Sequence, residues 1–227
     1  MHRSPLLVKL NIALMLPVAA SLVSLAFIGL NVATGSASVG SGGVSMPGAT
    51  SPAPASSDVA SRFGYRTLRE GMSGDDVRVL KGIARSKKLL RSPLTTEFDS
   101  PTTSAVKKFQ RDVAIKTSGV LNEGTSKAMV RSLKKTEASW YGPGLYGNGV
   151  ACGGTLRPGT IGVAHKTLPC GSKVLVGYHG RFLMTRVIDR GPYIKGRALD
   201  LTYAGAEALG FIDAGVANVR YAVVKRK

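Results

Sequence analysis

The run from Val187 to Thr202 reads Val-Ile-Asp-Arg-Gly-Pro-Tyr-Ile-Lys-Gly-Arg-Ala-Leu-Asp-Leu-Thr. It sets two aspartates at the ends of a loop that glycine and proline bend between two apolar stretches, a pattern that excludes a continuous helix. Residues 138–188, just before the pair, contain no Asp or Glu. Carboxylate chemistry in residues 138–227 therefore falls to Asp189, Asp200, Glu207 or Asp213. Glu207 sits within Tyr203-Ala-Gly-Ala-Glu-Ala-Leu-Gly210, which reads as a short surface helix, and Asp213 follows it. Asp189 and Asp200, eleven residues apart, are the pair to explain.

The N-terminus reads as a targeting segment. Arg3 and Lys9 precede an uncharged apolar run from Leu10 to Leu30, and Gly35-Ser36-Ala37 offers a cleavage site. Residues 1–37 are thus a signal peptide or, since the run is nearly long enough to span a bilayer, an N-terminal membrane anchor. Either way the rest of the chain is expected outside the cytoplasm. The two cysteines, Cys152 and Cys170, fit that compartment as a disulfide, with two separate buried thiols as the alternative. Residues 38–62 are rich in Gly, Ser, Ala and Pro, bury too little to fold, and read as a flexible linker.

The formal charge of +18 attracts polyanions. Outside a cell these are anionic wall polymers or membrane headgroups. Nucleic acid fits the charge but neither the compartment nor the patterning, because no basic helix or aromatic-basic strand of the nucleic-acid-binding kind is present. Three scattered histidines and a cysteine pair give no metal-ligand set, and no cofactor is expected. The membrane is met only through the N-terminal segment, if that is retained.

Residues 63–135 read as a small all-α bundle of three helices. Val77, Leu80 and Ile83 form the stripe of the first, with Asp75 and Asp76 in its first turn, where the helix dipole favours them. A second starts near Ser100-Pro101-Thr102, with Ala105, Val106, Phe109 and Val113 inward. The third runs from Thr125 to Leu133, capped by Thr125 or Gly124, with Ala128, Met129 and Leu133 apolar. This spacing resembles the three-helix peptidoglycan-binding domain at Leu68, Gly71, Gly74, Val77, Leu80, Phe98, Thr102, Ala105, Val106, Phe109, Gln110, Gly119, Val120 and Thr125. Lys81 stands where that family has Gln, and Ser118-Gly119 where it has Asp-Gly.

Residues 138–227 read as short β-runs separated by Gly and Pro: Ala138–Tyr141, Ile161–Ala164, Lys173–Tyr178, Phe182–Ile188 and Asn218–Val224, with a hairpin turn at Tyr178-His-Gly-Arg181. Five or six strands and one or two short helices in this length predict a small closed barrel. Ala138-Ser-Trp-Tyr-Gly142, Val163-Ala-His-Lys-Thr-Leu-Pro169, Asp189-Arg-Gly-Pro-Tyr193 and Gly196-Arg-Ala-Leu-Asp-Leu201 resemble the rare lipoprotein A (RlpA) family. The resemblance implies a mainly-β six-stranded double-psi β-barrel after the bundle. It also implies a lytic transglycosylase acting on the glycan strands of peptidoglycan.

Cleaving a glycosidic bond requires protonation of the leaving oxygen, which an Asp in a partly desolvated groove can supply. A hydrolase usually needs a second carboxylate for water or the anomeric carbon. A lytic transglycosylase uses the sugar's own 6-hydroxyl, so one carboxyl acts first as acid and then as base. By resemblance to this family and to expansins, Asp200 is the expected proton donor. Asp189 is expected to orient the loop or bind sugar, and His165 matches the family's histidine. Simple caps are the alternatives: the Arg-Gly-Pro turn for Asp189, the helix near Thr202 for Asp200. Tyr141, Tyr193 and Arg190 are the expected substrate contacts; Trp140 and Tyr141 adjoin on a strand, so they face opposite sides and one belongs to the core.

The family often carries a Glu eleven residues before the His, and Gly154 stands there. Two further readings therefore stay open beside the enzyme: an expansin-like wall-binding or wall-loosening module, and a module that binds or inhibits another protein.

Overall fold

The structure, a computed structural model, describes residues 60–224. The targeting segment 1–37 and nearly all of the expected linker lie outside these residues, as do the last three. Among the described residues no helix is long and apolar enough to cross a membrane.

The chain enters through β1 (Ser61–Arg62), then builds α1 (Asp75–Ser86), α2 (Ser100–Asp112) and α3 (Glu123–Arg131). Val77, Leu80 and Ile83 are buried as their spacing requires. Asp76 does more than complement the helix dipole. It is buried, and Arg66 donates to its two oxygens at 2.6 and 2.8 Å. In α2 the inward position after Phe109 is Gln110, while Val113 is exposed. Gln110 Nε2 donates to Thr125 Oγ1 and the Val120 carbonyl, and its Oε1 accepts from Gly119 N, so the buried amide ties α2 to the loop before α3. The α3 cap is Asn122, not Thr125 or Gly124; its side chain accepts from Thr125 N at 2.9 Å. Lys81 is fully buried and donates to Asp99 at 2.9 Å and Thr95 Oγ1 at 2.7 Å. Asp99 also caps α2 by accepting from Thr102 N. The lysine in place of the family's glutamine thus has its own counter-charge.

The sheet comprises β2 (Lys134–Tyr141), β3 (Val163–Ala164), β4 (Lys173–Tyr178), β5 (Arg181–Asp189), β6 (Arg197–Thr202) and β7 (Val216–Val224), with α4 (Tyr203–Leu209) between the last two. Pairing runs β5-β3-β6-β2-β7-β4, and β4 returns to β5, which closes a six-stranded barrel. The β2–β6 and β3–β5 pairs are parallel; the others are antiparallel. Two differences from the sequence reading stand out. The Asp200 segment is itself a strand, β6. Ser61 and Arg62, assigned to the linker, pair with Phe182 and Arg181 and extend β5 outward.

The strand Lys173-Val-Leu-Val-Gly-Tyr178 lacks a polar alternation because both of its faces are covered. Val174, Val176 and Leu183 point into the barrel with Val163, Leu199 and Leu201. Leu175, Phe182 and Met184 point outward and join Val77, Leu80 and Ile83 of α1 in one apolar cluster. The helices and the barrel therefore share a core, and residues 60–224 fall in one compact unit. Gly82 marks a close contact between α1 and the barrel: a Cβ there would lie 2.6 Å from the Met184 methyl and 3.8 Å from Leu175.

Gly82→Leu is expected to overpack this contact by about 1–3 kcal/mol, outweighing the roughly 1 kcal/mol of helix propensity that replacing glycine returns. Because the core is shared, helical circular dichroism and fluorescence of Trp140, the single tryptophan, should lose midpoint together. A drop confined to the helical signal would contradict the shared core.

Candidate functional site

The two-residue strand β3 lies between β5 and β6 and positions both aspartates. Ala164 is the register partner of Asp189 on one side and of Asp200 on the other. Ser139 of β2 is in turn the partner of Asp200. Four strands thus place Ser139, Asp200, Ala164 and Asp189 in one row. The two aspartates are two strand spacings apart, about 10 Å at Cα.

Asp200 is half-buried. Its Oδ1 accepts from Ser139 Oγ at 2.6 Å and Ser139 N at 3.3 Å. Arg197 Nε lies 3.4 Å from the same oxygen, an ion pair without hydrogen-bond alignment. All of these contacts fall on Oδ1. Asp200 does not cap α4; Thr202 does, its Oγ1 accepting from Gly205 N and also from Gly162 N. Tyr141 projects its hydroxyl among the carboxylates, buried and without an aligned hydrogen bond. Burial raises its pKa first, then the neighbouring Asp189 carboxylate, then the charge of Asp200. Trp140 faces the other way. Its Nε1 donates to the Ile212 carbonyl and its ring meets Tyr203 edge-on at 5.3 Å, so Trp140 is the core member of the pair.

Asp189 braces two loops. Its Oδ1 accepts from Ala151 N at 2.9 Å and Arg190 N at 2.8 Å, and its carbonyl accepts from His165 N. Cys152 N donates to the Ile188 carbonyl, and Cys152 is bonded to Cys170 as a disulfide. The turn between them uses a left-handed backbone, with φ +89° at Gly153 and +91° at Gly154. A glutamate at 154 would be strained there although the space is open, so the loop is built for glycine.

His165 Nδ1 accepts from Thr167 N and Leu168 N, each at 3.1 Å. The ring is therefore neutral with its proton on Nε2. Burial lowers its pKa, helped by the charges of Arg190 and Lys134. Arg190, expected to meet substrate, is turned inward. Its Nη1 donates to the Leu168 carbonyl at 2.9 Å and the His165 carbonyl at 3.3 Å, and its Nη2 reaches Cys170 Sγ at 3.2 Å. The cause is plain: the 165–170 loop presents carbonyls that need partners, and the guanidinium satisfies them. Tyr193, by contrast, is 79 % exposed at the tip of the loop joining the aspartates.

Sequence reasoning missed Ser139 and Arg197. Both lie inside the motifs that carry the resemblance, and only the strand register reveals that they hold Asp200. Among the described residues no cluster of His, Cys, Asp or Glu is arranged to hold a metal ion. Asp189 and Asp200 are both partly exposed. The cavities of about 480 and 410 Å³ lie elsewhere, along β7.

Residues 134–221 match the family described as lytic transglycolase, and residues 73–129 match a peptidoglycan binding domain family. The chain thus carries a six-stranded double-psi β-barrel behind a helical domain, and each of the two matches its family model over part of the chain. Its curated homologues include the endolytic peptidoglycan transglycosylase RlpA of Vibrio cholerae, 42% identical over 90 residues (39% of this chain, 34% of the relative). They also include the RlpA of Pseudomonas aeruginosa, 36% identical over 122 residues (53% and 34%), and a probable RlpA of Synechocystis, 36% identical over 107 (46% and 33%). The chain spans about a third of the length of these relatives. Among solved structures, a Streptomyces papain inhibitor aligns with a TM-score of 0.35 at 26% identity, covering 41% of this chain and 98% of its own. A Clavibacter michiganensis expansin aligns with a TM-score of 0.35 at 24% identity, covering 41% and 52%. A disulfide within a domain of a wall-enzyme family places the folded residues outside the cytoplasm.

Two measurements check the loop architecture. In an NMR titration His165 should titrate below 6.5, with Nδ1 unprotonated in the neutral ring. Because its folded pKa is depressed, its contribution to stability is full above that pH and lost as pH falls through the folded value. Titration above 6.5 would contradict the two amide bonds to Nδ1. Replacing both cysteines by serine should cost roughly 3 kcal/mol in a chemical melt; an unchanged midpoint would mean the disulfide does not restrain these loops.

Proposed function

We propose that this chain is an extracytoplasmic wall protein that binds peptidoglycan through residues 63–135 and cleaves its glycan strands, as a lytic transglycosylase, through residues 138–227. Residues 1–37 deliver it as a signal peptide or hold it as an anchor. The high positive charge adds attraction to anionic wall polymers.

The observation that carries this reading is the one-sided anchoring of Asp200. Ser139 and Arg197 hold Oδ1, which leaves Oδ2 for proton transfer. In the protonated acid, Oδ2–H donates its proton to the glycosidic oxygen as the bond to the anomeric carbon breaks. The sugar's 6-hydroxyl oxygen then bonds to that carbon, and its proton returns to the Asp200 carboxylate. The product is a 1,6-anhydro end, no water is consumed, and the acid is regenerated. Asp189, Arg190 and neutral His165 order the loops beside the row, and exposed Tyr193 offers a ring face to a sugar. Gly154, in a backbone suited to glycine rather than glutamate, favours a second reading in which the same face binds glycan without cutting it.

The test is digestion of sacculi and of peptide-stripped glycan, with anhydro ends read by mass spectrometry. Asp200→Asn should lower the rate about 10²–10⁴-fold, the range of a general acid. Asp189→Asn keeps an acceptor oxygen for Ala151 and Arg190 and should lose only about tenfold. No anhydro product from either substrate, with the protein still sedimenting with sacculi, would leave the binding module as the function.

A further inference from the structure

The disulfide joins two loops that flank Asp189. On one side Ala151 N donates to Asp189 Oδ1 and Cys152 N to the Ile188 carbonyl. On the other, His165 N donates to the Asp189 carbonyl and Gly171 N to the Val187 carbonyl. The Cys152–Cys170 bond thus ties together the two segments that grip the end of β5. Closure of the barrel does not depend on it, because the six strands pair in a ring without either loop. The bond is also within reach of solvent: Cys170 is exposed and Cys152 half-buried. Beside Cys152, Gly153 and Gly154 are exposed, and a Cβ on either would meet nothing within 4 Å. Arg190 Nη2 lies 3.2 Å from Cys170 Sγ. A guanidinium so close to a sulfur favours its thiolate. A staple that only has to last has no use for an exposed sulfur with a cation beside it; a leaving group does.

We infer that the Cys152–Cys170 disulfide is a redox switch on the candidate site, opened by an extracytoplasmic dithiol protein of the Cys-X-X-Cys class. The inference rests on the proposed action of that site and names its regulation. A thiolate of the partner attacks Cys152 Sγ from the open side beside Gly153. A mixed disulfide forms, the Cys152–Cys170 bond breaks, and Cys170 leaves as a thiolate next to Arg190; a thiol of lower pKa leaves faster. The partner's second thiol gives up its proton and attacks its own sulfur in the mixed disulfide, which releases Cys152. Two electrons have then passed to the chain, the partner is left as a disulfide, and the protons of its two thiols end on the freed cysteines. Exchange with an oxidised partner runs the steps in reverse and closes the bond. In the reduced chain the loop that carries Gly147, Gly149, Gly153 and Gly154 loses its covalent hold. Glycine-rich backbone gains the most freedom on release, so Ala151 parts from Asp189 and the row of aspartates loses a brace.

The test treats the folded full chain with thioredoxin as the dithiol probe and follows amide exchange and release of anhydro ends. Thioredoxin should reduce the disulfide while the barrel amides of Val174 and Leu183 stay protected. The Ala151 and Cys152 amides should then exchange about 10²-fold faster. Release of anhydro ends should fall about tenfold, as expected for a weakened hold on Asp189, and return on reoxidation. The double variant Cys152→Ser, Cys170→Ser should cut at the reduced rate with or without thioredoxin. In Cys152→Ser alone, the Cys170 thiol should titrate below the ordinary value of about 8.5. Reduction only on global unfolding, unchanged exchange at Ala151, equal cleavage by the oxidised and reduced chains, or an ordinary Cys170 pKa overturns the inference. If the oxidised chain cuts nothing, faster exchange at Ala151 on reduction still establishes the switch, and only the cleavage reading falls.

Discussion

Everything at the candidate site depends on the pairing of a single short strand. β3 has only two residues, yet Ala164 is bonded into the sheet on both sides and fixes Asp189 and Asp200 in one row. Without it, β5 and β6 would have no common neighbour, and the seven-residue loop 190–196 would leave the two carboxylates at no defined separation. The loops then follow from the row. Asp189 holds the Ala151 and Arg190 amides, the disulfide joins the loops of residues 152 and 170, and Arg190 closes the 165–168 turn. One register choice thus orders three loops around one half-buried acid.

The barrel is also braced from outside. Its β4 and β5 strands are apolar on both faces because α1 covers the outer one, with Leu80 and Ile83 in the same cluster as Leu175 and Met184. Each half alone is small, and small domains are marginally stable because they bury a limited share of their surface. Sharing a core offsets this. It also makes the helical segment a fixed wall of the barrel.

The sequence made much of this legible where local pattern and spacing carry the signal. β4 was bounded correctly from its apolar run and its hairpin turn, and the Asp189–Asp200 spacing singled out the pair. It left out what depends on partners far along the chain. Arg197–Thr202 carries an aspartate mid-strand and follows a glycine-rich loop, so it looks like loop until β2 and β3 are seen to flank it. Ser61 and Arg62 have linker composition and become a strand only because the outer edge of β5 is open to pairing there. Arg66–Asp76 and Lys81–Asp99 bridge ten and eighteen residues, beyond the reach of helical spacing. The bonds of Arg190 to the 165–170 loop were equally out of reach, because an arginine facing its own loop and one facing solvent have the same sequence.

Asp200 is the centre of the functional account. Ser139 and Arg197 hold one carboxyl oxygen, an arrangement suited to moving one proton out and back on the other. The most direct measurement is a crystal structure of the Asp200→Asn protein with a peptide-free glycan oligosaccharide bound. The account predicts a glycosidic oxygen within about 2.6–3.2 Å of the side-chain atom at position 200 that Ser139 does not hold. An oligosaccharide seated elsewhere, with the Ser139–Asp200 row uncovered, would contradict it.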